Sequence, residues 1–412
     1  MKLFLAALGL ALILEAIPYF VFPEKMREFF RRIPEIPAAV LRTVGLVFIV
    51  LGLVLVYVAT AYGGNPPSIR ISIKETGAPV EIQGTDLLIR ELPSFEKVGL
   101  DKTDLVCRIT LTPGGIKINQ RIWPATHLVL ASADGVIQID GKRFQGRIEV
   151  VKSGRNRLLL INDMDLERYL VGLINHEISS AWPPEAVKAQ AVAARTYAYF
   201  QKEKKLKELY DLESSVLDQV YGGIGLEDER AASAVRATAG EVLTYQGKII
   251  KAVFHSCCGG RTEDSEAVWG EMMPYLRSVS DPYCTESPRY YWRYKISIAE
   301  MSRRLGLGTI TSITLRDRTR SGRVRELEFG FDSGQKRKYS GEEMRRLLGY
   351  DNLKSTNFRV ESTVDEIKFS GSGSGHGVGM CQWGAKGMAD KGSNYRQILQ
   401  HFYQGVAIEK RY

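Results

Sequence analysis

Two apolar stretches set the first constraint on this chain. Residues 3–22 carry one charge, Glu15, and residues 43–62 (TVGLVFIVLGLVLVYVATAY) carry none. Each is about twenty residues long, enough as a helix to cross a hydrocarbon core of roughly 30 Å. A water-soluble core has no use for two such segments in tandem, so the sequence predicts a helical hairpin in a membrane over residues 1–63. The connection between them holds Lys25, Arg27, Arg31, Arg32 and Arg42 against Glu24, Glu28 and Glu35, whereas the next charge after Tyr62 is Arg70. The positive-inside rule keeps that loop cytoplasmic and places residues 63–412 outside an inner membrane. The alternative, a signal-peptidase site at Ala59-Thr60-Ala61, is disfavoured because the apolar run exceeds a usual signal core and starts some forty residues in. Glu15 in mid-span is either a functional carboxyl or a protonated or snorkelling one.

The remainder reads as folded protein: 25% of the chain is charged and 44% hydrophobic, without repeats or low-complexity tracts. Residues 68–162 alternate short β-branched runs (IRISIK, LVCRITLT, GRIEVVK, RLLLIN) with turn signals, which predicts an antiparallel β unit with hairpin turns at Gly114-Gly115 and Asp134-Gly135. From Leu166 the period changes. Residues 186–200 (AVKAQAVAARTYAYF) are rich in strong helix formers behind Pro183-Pro184, and residues 163–412 mix helices and short strands. The expected fold class is α+β.

The net charge is +9, and residues 301–350 contribute twelve Lys or Arg against six Asp or Glu. Such an excess is either a solvated face or a polyanion site. No nucleic-acid signature accompanies it, and an exported location removes that partner.

Few side chains are candidates for chemistry. His176 and Glu177 stand just before the Ala-rich helix, where close packing would desolvate a carboxyl at its entrance and favour a general acid. Lys188 and Arg195 are seven apart and share a helix face, as do Gln190 and Tyr197. The two cations either pair with structural carboxylates or await an anion. The segment GSGSGHGVGM has five glycines around His376 but lacks the Gly-Lys-Ser/Thr ending of a phosphate loop. Its glycines allow close backbone approach to a ligand.

The runs LERYLVGLINHEISSAWPPEAVKAQAVAARTYA, DQVYGG, VFHSCCGGRTEDSEAVWG and GSGSGHGVGMCQWGAKGMADKG, in that order, resemble the stage II sporulation protein D and amidase-enhancer family. That resemblance covers roughly residues 68–412. It implies a lytic transglycosylase acting on peptidoglycan glycan strands stripped of stem peptides, or else a non-catalytic enhancer that holds glycan for a cell-wall amidase. The family's catalytic glutamate falls on Glu177 and its supporting cations on Lys188 and Arg195. Gln190, His255, His376 and Gln382 are the further groove residues expected, and His176 is incidental. The first sixty residues separately resemble a small family of two-helix inner-membrane proteins without known activity.

Some members of the sporulation family bind zinc through Cys and His before a Gln-x-Tyr element. Here that segment reads ESSVLDQVY, without those ligands, so no metal and no cofactor are expected there. Cys257, Cys258 and Cys284 with His255 admit a metal site, but adjacent cysteines lack the usual two-residue spacing. A disulfide from Cys284 to Cys257 or Cys258 is the expectation for an oxidising exterior. Cys381 receives no partner, and Cys107 is expected to be a buried thiol in a strand.

Overall fold

The computed structural model describes residues 66–94, 97–98, 106–154, 156–214 and 221–412, together with single residues and short runs between positions 11 and 52. The chain divides into two compact units, Met1–Gly64 and Asn65–Tyr412. In the first, helix α1 (Pro23–Arg32) occupies the charged connection between the apolar stretches. The stretches themselves fall largely outside the described residues. Among the described residues no helix is long and apolar enough to cross a membrane.

The second unit is α+β with antiparallel sheets. A seven-stranded sheet runs in the order Leu212–Glu213, Ser68–Thr76, Arg157–Asp165, Arg147–Ser153, His127–Ala131, Leu88–Glu91, Lys97–Val98. A six-stranded sheet runs Lys142–Gln145, Val136–Ile139, Val80–Gly84, Val106–Thr112, Gly115–Ile118, Arg121–Trp123. Alternating side chains make these faces: Ile69 and Ile71, Cys107 and Ile109, Ile116 and Ile118 are all buried, as the two-residue period of a strand requires. Cys107 is thus the buried strand thiol expected.

The turn predicted at Gly114-Gly115 joins two paired strands, Thr112 facing Gly115. Asp134-Gly135 is also a turn, but not a hairpin, because it carries the chain from the seven-stranded sheet to the six-stranded one. The Asp-Gly hairpin is instead Asp140-Gly141, at φ 46° and 84° between Ile139 and Lys142, the positive-φ pair that a tight hairpin demands.

Helices α2 (Leu166–Glu177), α3 (Pro184–Lys204) and α4 (Glu229–Ala237) follow the sheets and share their core. Asp165 caps α2 by accepting the Arg168 N–H at 3.0 Å. α3 is buried around most of its circumference, which explains its alanines: one small side chain after another lets neighbouring elements close on it. The short helix α5 (Ser265–Trp269) precedes a second core, centred on Phe329, Phe358 and Phe369. That core joins α6 (Ile298–Leu305), α7 (Gly341–Leu348) and two three-stranded sheets. The chain then returns to the first core through α8 (Gln382–Asp390) and α9 (Tyr395–Phe402).

Candidate functional site

Glu177 is the last residue of α2, not the entrance to the Ala-rich helix that the sequence suggested. Ile178 is extended and ends the helix, and the loop that follows is pinned on both sides. Asn175 accepts the Ser180 N–H at 2.8 Å and donates to the Leu226 carbonyl at 2.7 Å, while the Ser180 hydroxyl donates to Asp228, the cap of α4. Pro183 and Pro184 then open α3.

One amide from another helix reaches Glu177 and links it to a second amide on α3. Gln382, first residue of α8, donates from Nε2 to Glu177 Oε2 at 3.3 Å and to Gln190 Oε1 on α3 at 3.4 Å. Both glutamines are buried and Glu177 is half-buried. Beside them Trp182 and Trp383 meet edge to face, ring centres 5.0 Å apart. The sequence reading missed this aromatic pair; the signal was there, since each indole is a near neighbour of a site residue in SAWPPEA and CQWGAKG.

The two cations take other places. From Gln190, a helix turns Lys188 about 200° away, and Arg195 follows Lys188 around. Arg195 is fully buried. Its Nε and Nη2 reach Glu167 at 2.6 and 2.8 Å, and the guanidinium also donates to the carbonyls of Val235 and Glu241. The expectation that Arg195 lines a groove is corrected: burial and a bidentate carboxylate hold it in the interior. Lys188 is half-buried, 2.7 Å from Glu185, with its ammonium over the Tyr395 ring. Asp165, Glu167 and Glu185 are thereby committed to a cap, to Arg195 and to Lys188.

His255 and His376 lie near one another, ring centres 5.5 Å apart and planes tilted by 57°. His376 Nδ1 accepts the Val378 N–H and its Nε2 donates to the Phe254 carbonyl, each at 3.1 Å, which fixes the neutral tautomer. Burial, with Arg345, Arg323 and Lys251 nearby, pulls its pKa down to about 4. His255 is pulled well below the usual histidine value by burial and then by His376. Its Nδ1 meets the Val378 carbonyl at 3.1 Å, while its Nε2 is buried without a partner. His176 packs against Gly222. The Gln of DQVYGG lies outside the described residues, as do residues 215–220 generally; Tyr221 hydrogen-bonds Asn162 at 3.1 Å.

The glycine-rich loop serves close packing within the protein. At Gly377 (φ 87°) a Cβ would stand 2.4 Å from the Arg323 guanidinium, and at Gly379 (φ 71°) 2.1 Å from the Val253 carbonyl. A cleft of about 980 Å³ lined by Tyr291, Arg293, Arg318 and Arg359 lies on the second core and contains none of the predicted site residues.

The expected disulfide is not formed. All five cysteines are free, and the sulfurs of Cys258 and Cys284 stand 3.5 Å apart, against about 2.05 Å for a bond. Cys381, left without a partner by the sequence, accepts N–H groups from Cys258 at 3.2 Å and Gly384 at 3.3 Å.

Residues 154–245, which hold Glu177, Lys188, Gln190 and Arg195, match the family described as stage II sporulation protein. The stage II sporulation protein D of Bacillus amyloliquefaciens is 31% identical over 265 residues, 61% of this chain and 76% of that protein. The chain belongs to the stage II sporulation protein D family. An uncharacterized protein of Brachyspira hyodysenteriae is 33% identical over 300 residues, 71% of this chain and 79% of its own length. The amidase enhancer of Bacillus subtilis is 28% identical over 330 residues, 67% of this chain but only 45% of that protein. Residues 4–59 match a family described as an uncharacterized protein conserved in bacteria, and residues 271–379 a domain of unknown function that spans the second core. The small membrane module read from the first sixty residues fits the former match.

Proposed function

We propose that this chain is a membrane-anchored peptidoglycan lytic transglycosylase in which Glu177 is acid and then base. The observation that supports it most directly is the Gln382 amide, which reaches from α8 to the Glu177 carboxyl and also donates to Gln190, while the carboxyls nearest in sequence are engaged elsewhere. A hydrolase ordinarily needs two carboxyls, one of them to activate water or attack the sugar. Intramolecular closure needs one. Glu177 donates its proton to the leaving glycosidic oxygen. As a carboxylate it then takes the proton of the same muramic residue's 6-hydroxyl while that oxygen bonds to the anomeric carbon, giving a 1,6-anhydro end. Proximity within one sugar replaces the bound water.

In this reading the Gln382 amide holds the carboxyl's orientation, and Trp182 and Trp383 offer apolar faces to the sugar rings. Lys188, half-exposed and paired with Glu185, meets a lactyl carboxylate from that ion pair, while Arg195 acts only through the fold. His255 and His376 are proposed as the neighbouring wall of the groove. The apolar stretches 3–22 and 43–62 form the anchor, with the catalytic unit on the outer face of an inner membrane. A cysteine introduced at an exposed position of the second unit, such as Val364, is then labelled by an impermeant thiol reagent in intact spheroplasts; labelling only after lysis contradicts the topology.

A non-catalytic reading has one observation in its favour, the relative named amidase enhancer. The two separate by digestion of peptide-free glycan in ¹⁸O-labelled water. A transglycosylase yields fragments without the label, a hydrolase yields labelled reducing ends, and an enhancer binds strands without cutting them.

A further inference from the structure

Away from the Glu177 carboxyl, four acceptor atoms face one another inside the protein. The sulfurs of Cys258, Cys284 and Cys381 and a carboxylate oxygen of Asp281 all lie within 4.8 Å of each other, and all four residues are wholly buried. They come from three separate segments: the HSCCGG turn, the DPYC turn and the start of α8. Cys258 Sγ is 3.1 Å from Asp281 Oδ2 and 3.5 Å from Cys284 Sγ. Ligands about 2.3 Å from a tetrahedral ion are separated by edges of about 3.8 Å, which this cluster approaches. Gathering soft and anionic groups in an apolar interior is costly, and a bound cation would offset that cost.

From this geometry we infer that Cys258, Asp281, Cys284 and Cys381 hold one structural zinc ion. Three thiolates and a carboxylate suit zinc by softness and number, and with four protein ligands the site is closed, hence structural rather than catalytic. Their mutual closeness admits one ion, not a polynuclear cluster. The surroundings are those of a thiolate centre. Cys381 caps α8 and its sulfur accepts two backbone N–H groups, from Cys258 and Gly384. The buried Arg323 donates to the Cys258 carbonyl at 2.8 Å while its Nε and Nη1 have no hydrogen-bond partner, a cation held beside what becomes a net negative site. Cys257 stands outside the ligand set, its sulfur 3.8 Å from the Cys284 carbonyl oxygen. At these cysteines the sequence favours a disulfide over a metal because two adjacent cysteines lack the usual ligand spacing; in this proposal only one of the adjacent pair is a ligand, and the spacing that matters is between distant segments.

Cys381 immediately precedes Gln382, the residue whose amide meets Glu177. The ion therefore fixes the helix start that positions the carboxyl; this consequence alone rests on the function proposed above. The test uses the full chain purified in detergent without chelators, with metal measured by plasma mass spectrometry. About one zinc per chain is expected, retained in Cys257→Ser and lost in Cys258→Ser and Cys381→Ser. Cobalt exchanged into wild type should show thiolate-to-metal charge transfer and the visible bands of a tetrahedral ion, a readout that does not depend on any variant folding. Zinc-free wild type that takes up neither metal after reduction overturns the inference, as does a Cys258–Cys284 disulfide in the non-reduced protein. Zinc in a chain that cuts no glycan supports the metal site and counts against the transglycosylase.

Discussion

Replacing Glu167 by alanine should damage folding far more than its place on the second residue of α2 suggests. Its carboxylate is the anion that meets Arg195, whose side chain has no exposed surface. Without it the guanidinium keeps neutral partners only, Thr238 and the carbonyls of Val235 and Glu241. Leaving one partner of a buried pair uncompensated costs about 3–5 kcal/mol. Some of that is recovered where water enters, because Glu167 retains 16% exposure, so the lower end, about 3 kcal/mol, is expected. The assay is urea unfolding followed by tryptophan fluorescence, comparing Glu167→Ala, Arg195→Met and the double variant Glu167→Leu/Arg195→Met. Both single variants should unfold at clearly lower urea, and the double variant should recover part of the loss, since an apolar pair carries no desolvated charge. Arg195→Met that unfolds like wild type yet no longer binds peptide-free glycan would refute this reasoning and return Arg195 to the groove.

Acid should weaken the fold through His376. Its folded pKa of about 4 lies below the ordinary 6.5, so between those values the unfolded chain binds more protons and stability falls as pH falls. The full shift is worth roughly 3.4 kcal/mol, which screening at a half-buried ring reduces to about 2. Unfolding midpoints at pH 7 and pH 5 should diverge in wild type and diverge less in His376→Gln; equal slopes contradict it. The groups facing that ring are Arg345, Arg323, Lys251 and the His255 and Trp269 rings. Gln382→Ala removes a hydrogen bond to a carboxyl, worth about 1.5–3 kcal/mol, so glycan cleavage should slow by roughly ten- to a hundredfold, with a lower urea midpoint because the buried Gln190 oxygen loses its donor. An unaltered rate would remove Gln382 from the site.

What the sequence made legible followed from local chemistry. Alternating β-branched runs gave the β unit, and alanines behind a proline pair gave α3. The glutamate at the end of α2 stands out in the sequence because a long motif surrounds it. Partner choice was less legible. Lys188 and Arg195 do share a face, but spacing cannot say that Glu167, one helix earlier, waits behind it. Asp134-Gly135 and Asp140-Gly141 are both good turn dipeptides, and which one closes a hairpin depends on sheets assembled from distant strands. The cysteine and aspartate cluster was hidden for the same reason, since Cys381 lies 123 positions from Cys258 and the chain must fold before they meet.

The central claim is that Glu177 cuts glycan by intramolecular closure, and product analysis tests it most directly. Wild type and Glu177→Gln, both checked for folding, are incubated with peptide-free glycan strands and the fragments weighed by mass spectrometry. Fragments ending in 1,6-anhydro-muramic residues from wild type, and none from Glu177→Gln, are the result predicted here. Equal cleavage by the two proteins, or strands bound but left whole by wild type, would contradict it.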